Sequence, residues 1–213
     1  QVGSLFWLDN IKVELAADNL APYVFDGVSF DGTTVSSERA QQVFDRQIAD
    51  GTGYSTTTAS ETAPAVLGWK DDGSYGKEPS VLQSVRIASG DITGTTANQN
   101  VLPGWFDIEG WDENSQSWVL IESFGDTSTP ASATRTLSAN SIDYLEFDIA
   151  SATNGTAFTG FRIKAYESMN GDGTIEISEL DFIAKAATDS ATDLSKTELE
   201  TIGITGVTDA NLA

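Results

Sequence analysis

A chain of 213 residues with 32 Asp and Glu against 11 Lys and Arg carries a formal charge of −21, which repels nucleic-acid phosphates and an anionic membrane surface. It contains no Cys and no His, so disulfides, Ser-His and Cys-His nucleophiles, imidazole bases and His-ligated zinc are excluded. The hydrophobic content of 39%, with ten Phe and five Trp, suffices for one large β domain with small appendages, and no apolar run is long enough for a membrane-spanning helix.

Residues 1–15, QVGSLFWLDNIKVEL, read as a strand pair or one bent strand, with Ile11, Val13 and Leu15 on a shared face. Tyr23-Val24-Phe25 and Val28-Ser29-Phe30 follow as short strands around Asp26-Gly27. Residues 1–35 are therefore expected to be N-terminal strands, either the end of a preceding domain or the start of this one. Residues 36–48 predict a helix, capped by Ser37, with Ala40, Val43, Phe44 and Ile48 on one face. A loop from Asp45 to Tyr54, a Ser/Thr-rich stretch over 55–62, the strand-like Ala65–Lys70 and a polar loop from Asp71 to Glu78 come next.

From Pro79 to Phe182 the pattern is all-β. Val81, Val85 and Ile87 form one inward set, and Phe106 and Ile108 another. Trp118 to Phe124 pairs with the latter across Asp112-Glu113-Asn114-Ser115, and Leu145, Phe147 and Ile149 share a face. Short strands punctuated by Gly, Asn, Ser and Thr point to a β-sandwich. After Ala184 the character changes. Residues 186–193, AATDSATD, read as a linker, and Ser195-Lys196-Thr197-Glu198 is a capping box before Leu199, Ile202 and the terminator Gly203. Residues 185–213 are thus expected to be a linker and a partial helical connector, too small to bury a core alone. With Gln1 opening inside a strand-like pattern and no initiating Met, the chain is expected to be an excerpt of a longer protein.

The segment Phe158 to Phe182 supports two readings. Ser168 through Glu179 nearly fits the twelve-residue EF-hand loop, with Asn170, Asp172, Gly173, Ile175 and Glu179 at positions 3, 5, 6, 8 and 12. An EF-hand needs flanking helices, whereas Phe161–Tyr166 alternates with period two and Ile175-Glu176-Ile177 is β-branched. Asn170-Gly171-Asp172-Gly173 is then a hairpin turn. The alternation slips at Ser178-Glu179, between the Ile175/Ile177 phase and the Leu180/Phe182 phase, as at a β-bulge. Glu179 is either an exposed edge carboxylate or one turned toward a cation.

The order ERAQQVFDRQIADGTGY, APAVLGWKDDGS, PSVLQSVRI, GWFDIEGWDENSQSWVLIESF, AFTGFRIKAYES, GTIEISELDF resembles the galactose-binding-like β-sandwich over residues 36–184. That superfamily includes discoidin (coagulation factor 5/8 type C) domains and family 32 carbohydrate-binding modules. The resemblance implies a jelly-roll sandwich, normally non-catalytic, with one structural Ca2+ between the loop after the first short helix and a carboxylate near the last strand. By position, Asp45 matches the loop Asp and Glu179 the C-terminal carboxylate. Gln47, Asp50 and Thr52 fall where the family offers backbone carbonyls and a hydroxyl or carboxylate, a hard-oxygen set that suits calcium. The loop departs from the family's Asp-Gly-Asn pattern, since Arg46 follows Asp45, and it is longer. The C-terminal DLSKTELETIGITGVTDANLA resembles short connectors of large secreted bacterial adhesins.

Sugar recognition relies on aromatic faces with a few polar partners. The residues expected to touch a ligand are Tyr75 in the polar loop, Trp105 and Trp111 flanking Phe106–Glu109, and Arg162, which faces opposite to Phe161 and Ile163. Trp69 and Trp118 are expected in strand cores, and Tyr54 to pack in the metal loop. The leading expectation is a calcium-stabilised, non-catalytic glycan-binding module of a secreted or cell-surface bacterial adhesin, a monomer joined to flanking domains of the same chain, with no nucleic-acid partner and no membrane insertion. The alternatives are a ligand-free spacer of an adhesin or phage fibre, and a carboxylate-based glycosidase using Asp107 and Glu109 on one strand face.

Overall fold

The computed structural model describes residues 19–22, 28–30, 40–48, 53–74, 76, 78–89, 99–139, 142–150 and 155–185. All of these lie in a compact unit running Ala17–Lys185. The strands expected over 1–15 and 23–25, the Ser37 cap, and the linker and helical connector after Lys185 lie outside the described residues.

Among the described residues are twelve strands: β1 Val28–Phe30, β2 Tyr54–Thr56, β3 Ala65–Asp71, β4 Ser80–Ala88, β5 Pro103–Asp112, β6 Ser117–Phe124, β7 Arg135–Ala139, β8 Ile142–Asp148, β9 Ala157–Phe158, β10 Gly160–Ser168, β11 Ile175–Ile177 and β12 Glu179–Ala184. One sheet has the order β1-β3-β10-β5-β6. The other has the order β12-β4-β8-β7, with β9 on β4, and β11 pairs with β2. The pairings are antiparallel, and the architecture is an all-β sandwich.

Period-two alternation makes the core. Leu67, Trp69, Phe106, Ile108, Phe161 and Ile163 of the first sheet join Val85, Ile87, Leu145, Phe147, Leu180 and Phe182 of the second in one buried cluster. Phe161 stacks on Phe182 at 5.7 Å, and Phe106 meets Phe147 edge-on at 5.1 Å. These ring pairs tie the two layers. Among the described residues no helix is long and apolar enough to cross a membrane.

Four expectations are modified. The helix over 36–48 reduces, within the described residues, to a single turn ending in the 3-10 segment Gln42–Phe44. It stops because Arg46 adopts a left-handed φ of 64°, which ends a helix. Val43 and Phe44 are nonetheless buried, as their spacing implied. The Asn170–Gly173 turn does not close a hairpin. β10 pairs with β3 and β5, whereas β11 pairs with β2, so the turn carries the chain out of the first sheet. Ser168 N–H donates to Asp172 O at 2.9 Å and Thr174 N–H to Asp172 Oδ1 at 2.8 Å, holding it. With strands on both sides, the EF-hand reading is overturned. The phase slip is a change of partner strand rather than a bulge: at Ser178 the chain passes from β11, paired with β2, to β12, paired with β4. Finally, Trp118 leaves the core for the outer face. A register shift between β5 and β6 at Ile108/Glu109 flips the phase, so Phe124 packs on Phe106 while Trp118 packs on Trp111 outside. Trp69 and Tyr54 are buried as expected.

Candidate functional site

Because Leu180 and Phe182 point inward, strand alternation puts Glu179 on the outer side of its sheet. It is nevertheless 0% exposed, and neither carboxylate oxygen has a hydrogen-bond partner among the described residues. The Arg46 amide and the Asp181 carboxyl approach without making a bond of ordinary geometry. Burial first, then the charges of Asp181 and Asp45, push its pKa up to about 9. Asp181 is raised too, mainly by burial, although Asn19 Nδ2 donates to it. An ionised carboxylate without donors costs several kcal/mol to bury.

The loop beside it is shaped at a cost. Arg46 sits in the left-handed region, which disfavours a non-glycine residue by about 1–2 kcal/mol. Asp45 Oδ1 accepts the Gln47 amide at 2.9 Å, and Arg46 donates to Ala21 O at 3.4 Å. Of the five residues expected to hold a metal, Glu179 and Asp45 are brought together and Gln47 is exposed two residues on. Asp50 and Thr52 lie outside the described residues. Among the described residues no three acidic side chains converge as a metal cage. Any ion at Glu179 would therefore draw most of its ligands from backbone and hydroxyl oxygens. The orphaned, buried, oxygen-only donor set fits a hard cation such as calcium.

At the end of the sandwich where β5 begins and β10 finishes, a cleft of about 200 Å³ opens between Gly104-Trp105, the 126–130 loop and residues 167–171. Its walls are bonded through the backbone. Ala131 N–H donates to Gly104 O at 2.6 Å and Met169 N–H to Leu102 O at 2.8 Å. Gly104 is required, since a Cβ there would lie 2.6 Å from Ser168 O. Trp105 tilts against Tyr166 at 4.7 Å and lines the cleft with Asp126, Ser128, Glu167 and Asn170. Asp126 Oδ1 accepts from the Ser128 amide and hydroxyl and from the Thr129 amide. These bonds, the Ser128 hydroxyl foremost, hold the Asp126 carboxyl below its ordinary pKa. Its Oδ2 accepts nothing from the described residues.

The remaining expected ligand residues lie elsewhere. Trp111 is six residues beyond Trp105 on β5, roughly 20 Å along the strand. It packs edge-on to Trp118 at 5.4 Å, and Lys70 Nζ lies 3.5 Å over its ring. Arg162 lies 4.4 Å over Trp118 and pairs with Glu109. Tyr75 is outside the described residues. The three that are described therefore do not form one site, and only Trp105 lines the cleft. Asp126, Glu167 and Asn170 were missed because the cleft joins three segments far apart in sequence. The only local signal was the turn-forming run Asp126-Thr127-Ser128-Thr129-Pro130.

No family model and no curated protein matches the chain. Solved structures do. The family 32 carbohydrate-binding module of Streptococcus pneumoniae EndoD aligns over its entire length and 79% of this chain, at 14% identity and a TM-score of 0.50. The fold is that of the family 32 carbohydrate-binding modules. The family 32 module of Clostridium perfringens NanJ, solved in complex with galactose, aligns over 94% of its length and 74% of this chain, at 15% identity and a TM-score of 0.44. A two-domain Bacteroides fragilis protein of unknown function matches 83% of this chain at 12% identity and a TM-score of 0.47. This chain spans 47% of that protein.

Proposed function

We propose that the protein is a non-catalytic carbohydrate-binding module, stapled by calcium, that seats a terminal sugar in the cleft at Trp105. The observation that carries this reading is the cleft itself, a single aromatic wall facing polar acceptors on loops at one end of a family 32 fold. The Trp105 ring would pack against the C–H face of a sugar. Asp126 Oδ2 and Glu167 would accept its hydroxyls, and the Asn170 amide can both donate and accept. At about 200 Å³ the cleft is smaller than the roughly 300–1,000 Å³ of drug-sized pockets, which favours one sugar residue over a long chain. Trp111 and Arg162, sealed under Lys70 and bonded to Glu109, we assign to packing of the outer face.

The calcium would be held by Glu179 and Asp45, with Gln47, Asp50 and Thr52 completing its oxygen shell. When bound, the ion neutralises the buried carboxylate and clips the loop after the helical turn to the last strand. A binding role rather than glycoside hydrolysis is supported by the partners of the two same-face acids. Asp107 accepts the Tyr166 and Ser123 hydroxyls, each at 2.6 Å, and Glu109 is paired with Arg162 and Lys164. The acidic, cysteine-free composition suits an extracellular or bacterial cell-surface setting, with the module attaching a larger protein to a glycan. The test is a glycan array followed by calorimetry in calcium. Trp105→Ala should weaken sugar binding roughly 30-fold, as loss of about 2 kcal/mol at an anchor residue does, with the melting temperature little changed. Absence of binding to every glycan would leave the spacer role in its place.

A further inference from the structure

With the cleft at Trp105 taken as the sugar site, its charges narrow the ligand, and the inference rests on that assignment. Among the described residues, those lining the cleft include Asp126 and Glu167 and no Lys or Arg. The segments that build this end, residues 99–105, 125–134 and 166–174, contain no Lys or Arg either. The one cation of β10 near this end, Lys164, is drawn toward Glu109 at 3.5 Å. Asp126 is held by three bonds on Oδ1, so its carboxylate is fixed at the cleft wall with its second oxygen bonded to none of the described residues. The whole chain, at −21, adds a field of the same sign.

We infer that this cleft selects by charge: its ligand is an uncharged or amine-bearing sugar, and uronic, sialic and sulfated sugars are rejected. Two carboxylates can accept hydroxyl or ammonium protons, but they repel a third carboxylate or a sulfate, and the described lining sets against this only neutral donors such as Asn170 and no cation. An ammonium on the sugar would gain a charge-assisted bond. Because the cleft is open to solvent, both effects are moderate and screened by salt.

The experiment uses the full chain in calcium on an array carrying neutral, amine-bearing, uronate, sialylated and sulfated glycans. Titrations come next, with galactose, galactosamine and galacturonic acid, and with the matching glucose trio. The expected result is that all Trp105-dependent binding falls on neutral or amine-bearing sugars. The uronate of the bound series should be weaker by roughly tenfold at low salt, and the gap should shrink at about 1 M NaCl. Asp126→Asn with Glu167→Gln should narrow it as well. Asn keeps the Oδ1 acceptor, so the 126–130 turn survives the change. A uronate, sialylated or sulfated glycan bound as tightly as its neutral counterpart, and lost in Trp105→Ala, overturns the charge selection while leaving the sugar site standing. Binding to no glycan of any charge overturns the carbohydrate reading and this inference with it. A preference that the double variant leaves unchanged overturns the assignment to Asp126 and Glu167.

Discussion

Two glutamates sit on the same outer face of the same sheet, Glu146 on β8 and Glu179 on β12, and both are buried, at 1% and 0% exposure. Glu146 is fully provided for. Ser84 Oγ donates to it at 2.6 Å, Arg135 reaches both its oxygens, and Arg86 lies 3.4 Å away. Burial raises its pKa, yet the Arg135 and Ser84 bonds and the Arg86 charge outweigh this and hold the carboxyl below its ordinary value. Glu179 has no hydrogen bond of ordinary geometry among the described residues, the charges that act on it most are the carboxyls of Asp181 and Asp45, with the Arg46 amide and Tyr144 also near, and its pKa rises. The chain can equip a buried carboxylate with donors and does so two strands away in the same sheet. That contrast is what supports the calcium proposal, more strongly than a lone acidic residue would.

The largest expected effect is at the bare carboxylate. A ligand at a hundredfold excess over its Kd adds about 2.7 kcal/mol of stability, so calcium should raise the melting temperature by roughly 5–10 °C for a domain of this size, and EDTA should reverse it. Glu179→Gln should abolish the calcium response while leaving the EDTA-treated protein as stable as wild type or more so, because it removes a carboxylate that has no donor. Calorimetric melts of both proteins, with and without calcium, decide the matter. A wild-type melt indifferent to EDTA would break the comparison.

Glu146→Gln should behave in the opposite way. It should cost about 1–3 kcal/mol whether or not calcium is present, because it strips charge from the partner of Ser84 Oγ, Arg86 and Arg135 at once. The pH dependence sharpens this. Glu146 has a depressed pKa in the folded state, so its contribution is present above the unfolded value of about 4.3 and is lost as pH falls through the lower folded value. Urea melts should therefore show wild type and Glu146→Gln well separated at pH 7 and converging in acid. The groups facing Glu146 are Ser84, Arg86 and Arg135, with Asp148 sharing Arg135 at 3.1 Å and Asp181 beyond Arg86 in the register. Curves that stay parallel down to about pH 3, well below the unfolded carboxyl value, would show that the network adds nothing.

Much of the fold was legible because alternation is a local signal. Phe161, Ile163 and Ala165, or Leu145 and Phe147, announce their inward face without knowledge of the partner strand. What alternation cannot carry is the partner's identity. The Asn-Gly-Asp-Gly turn was correctly seen as a turn, but its chemistry does not say which strand receives the chain, so a sheet crossover looked like a hairpin. The slip at Ser178-Glu179 was visible for the same reason and misnamed for the same reason. Trp118 was misplaced because it shares sequence phase with Phe124, and the extra residue that separates them, Ile121 on β6 opposite the Ile108/Glu109 step, shows only once β6 is paired with β5. Glu179 stood out as an acidic residue at a phase break. The isolation of its carboxylate, and the cleft built from three distant segments, exist only once the layers are assembled.

A third acid, Glu109 on the opposite sheet, gives the smallest and most discriminating effect. It is nearly buried and paired with Arg162 and, more loosely, with Lys164 at 3.5 Å. Lys164→Met should cost under about 0.5 kcal/mol, the usual worth of a partly exposed pair, and shift the melting temperature by less than about 2 °C, because Arg162, itself stacked over the Trp118 ring, remains to hold the carboxylate. If donors are what separate a satisfied buried glutamate from a vacant one, one strong donor should suffice. A large loss on Lys164→Met would mean that Glu109 needs both cations. Glu146, held by two arginines, would then be the rule for satisfying a buried acid, rather than one case among several.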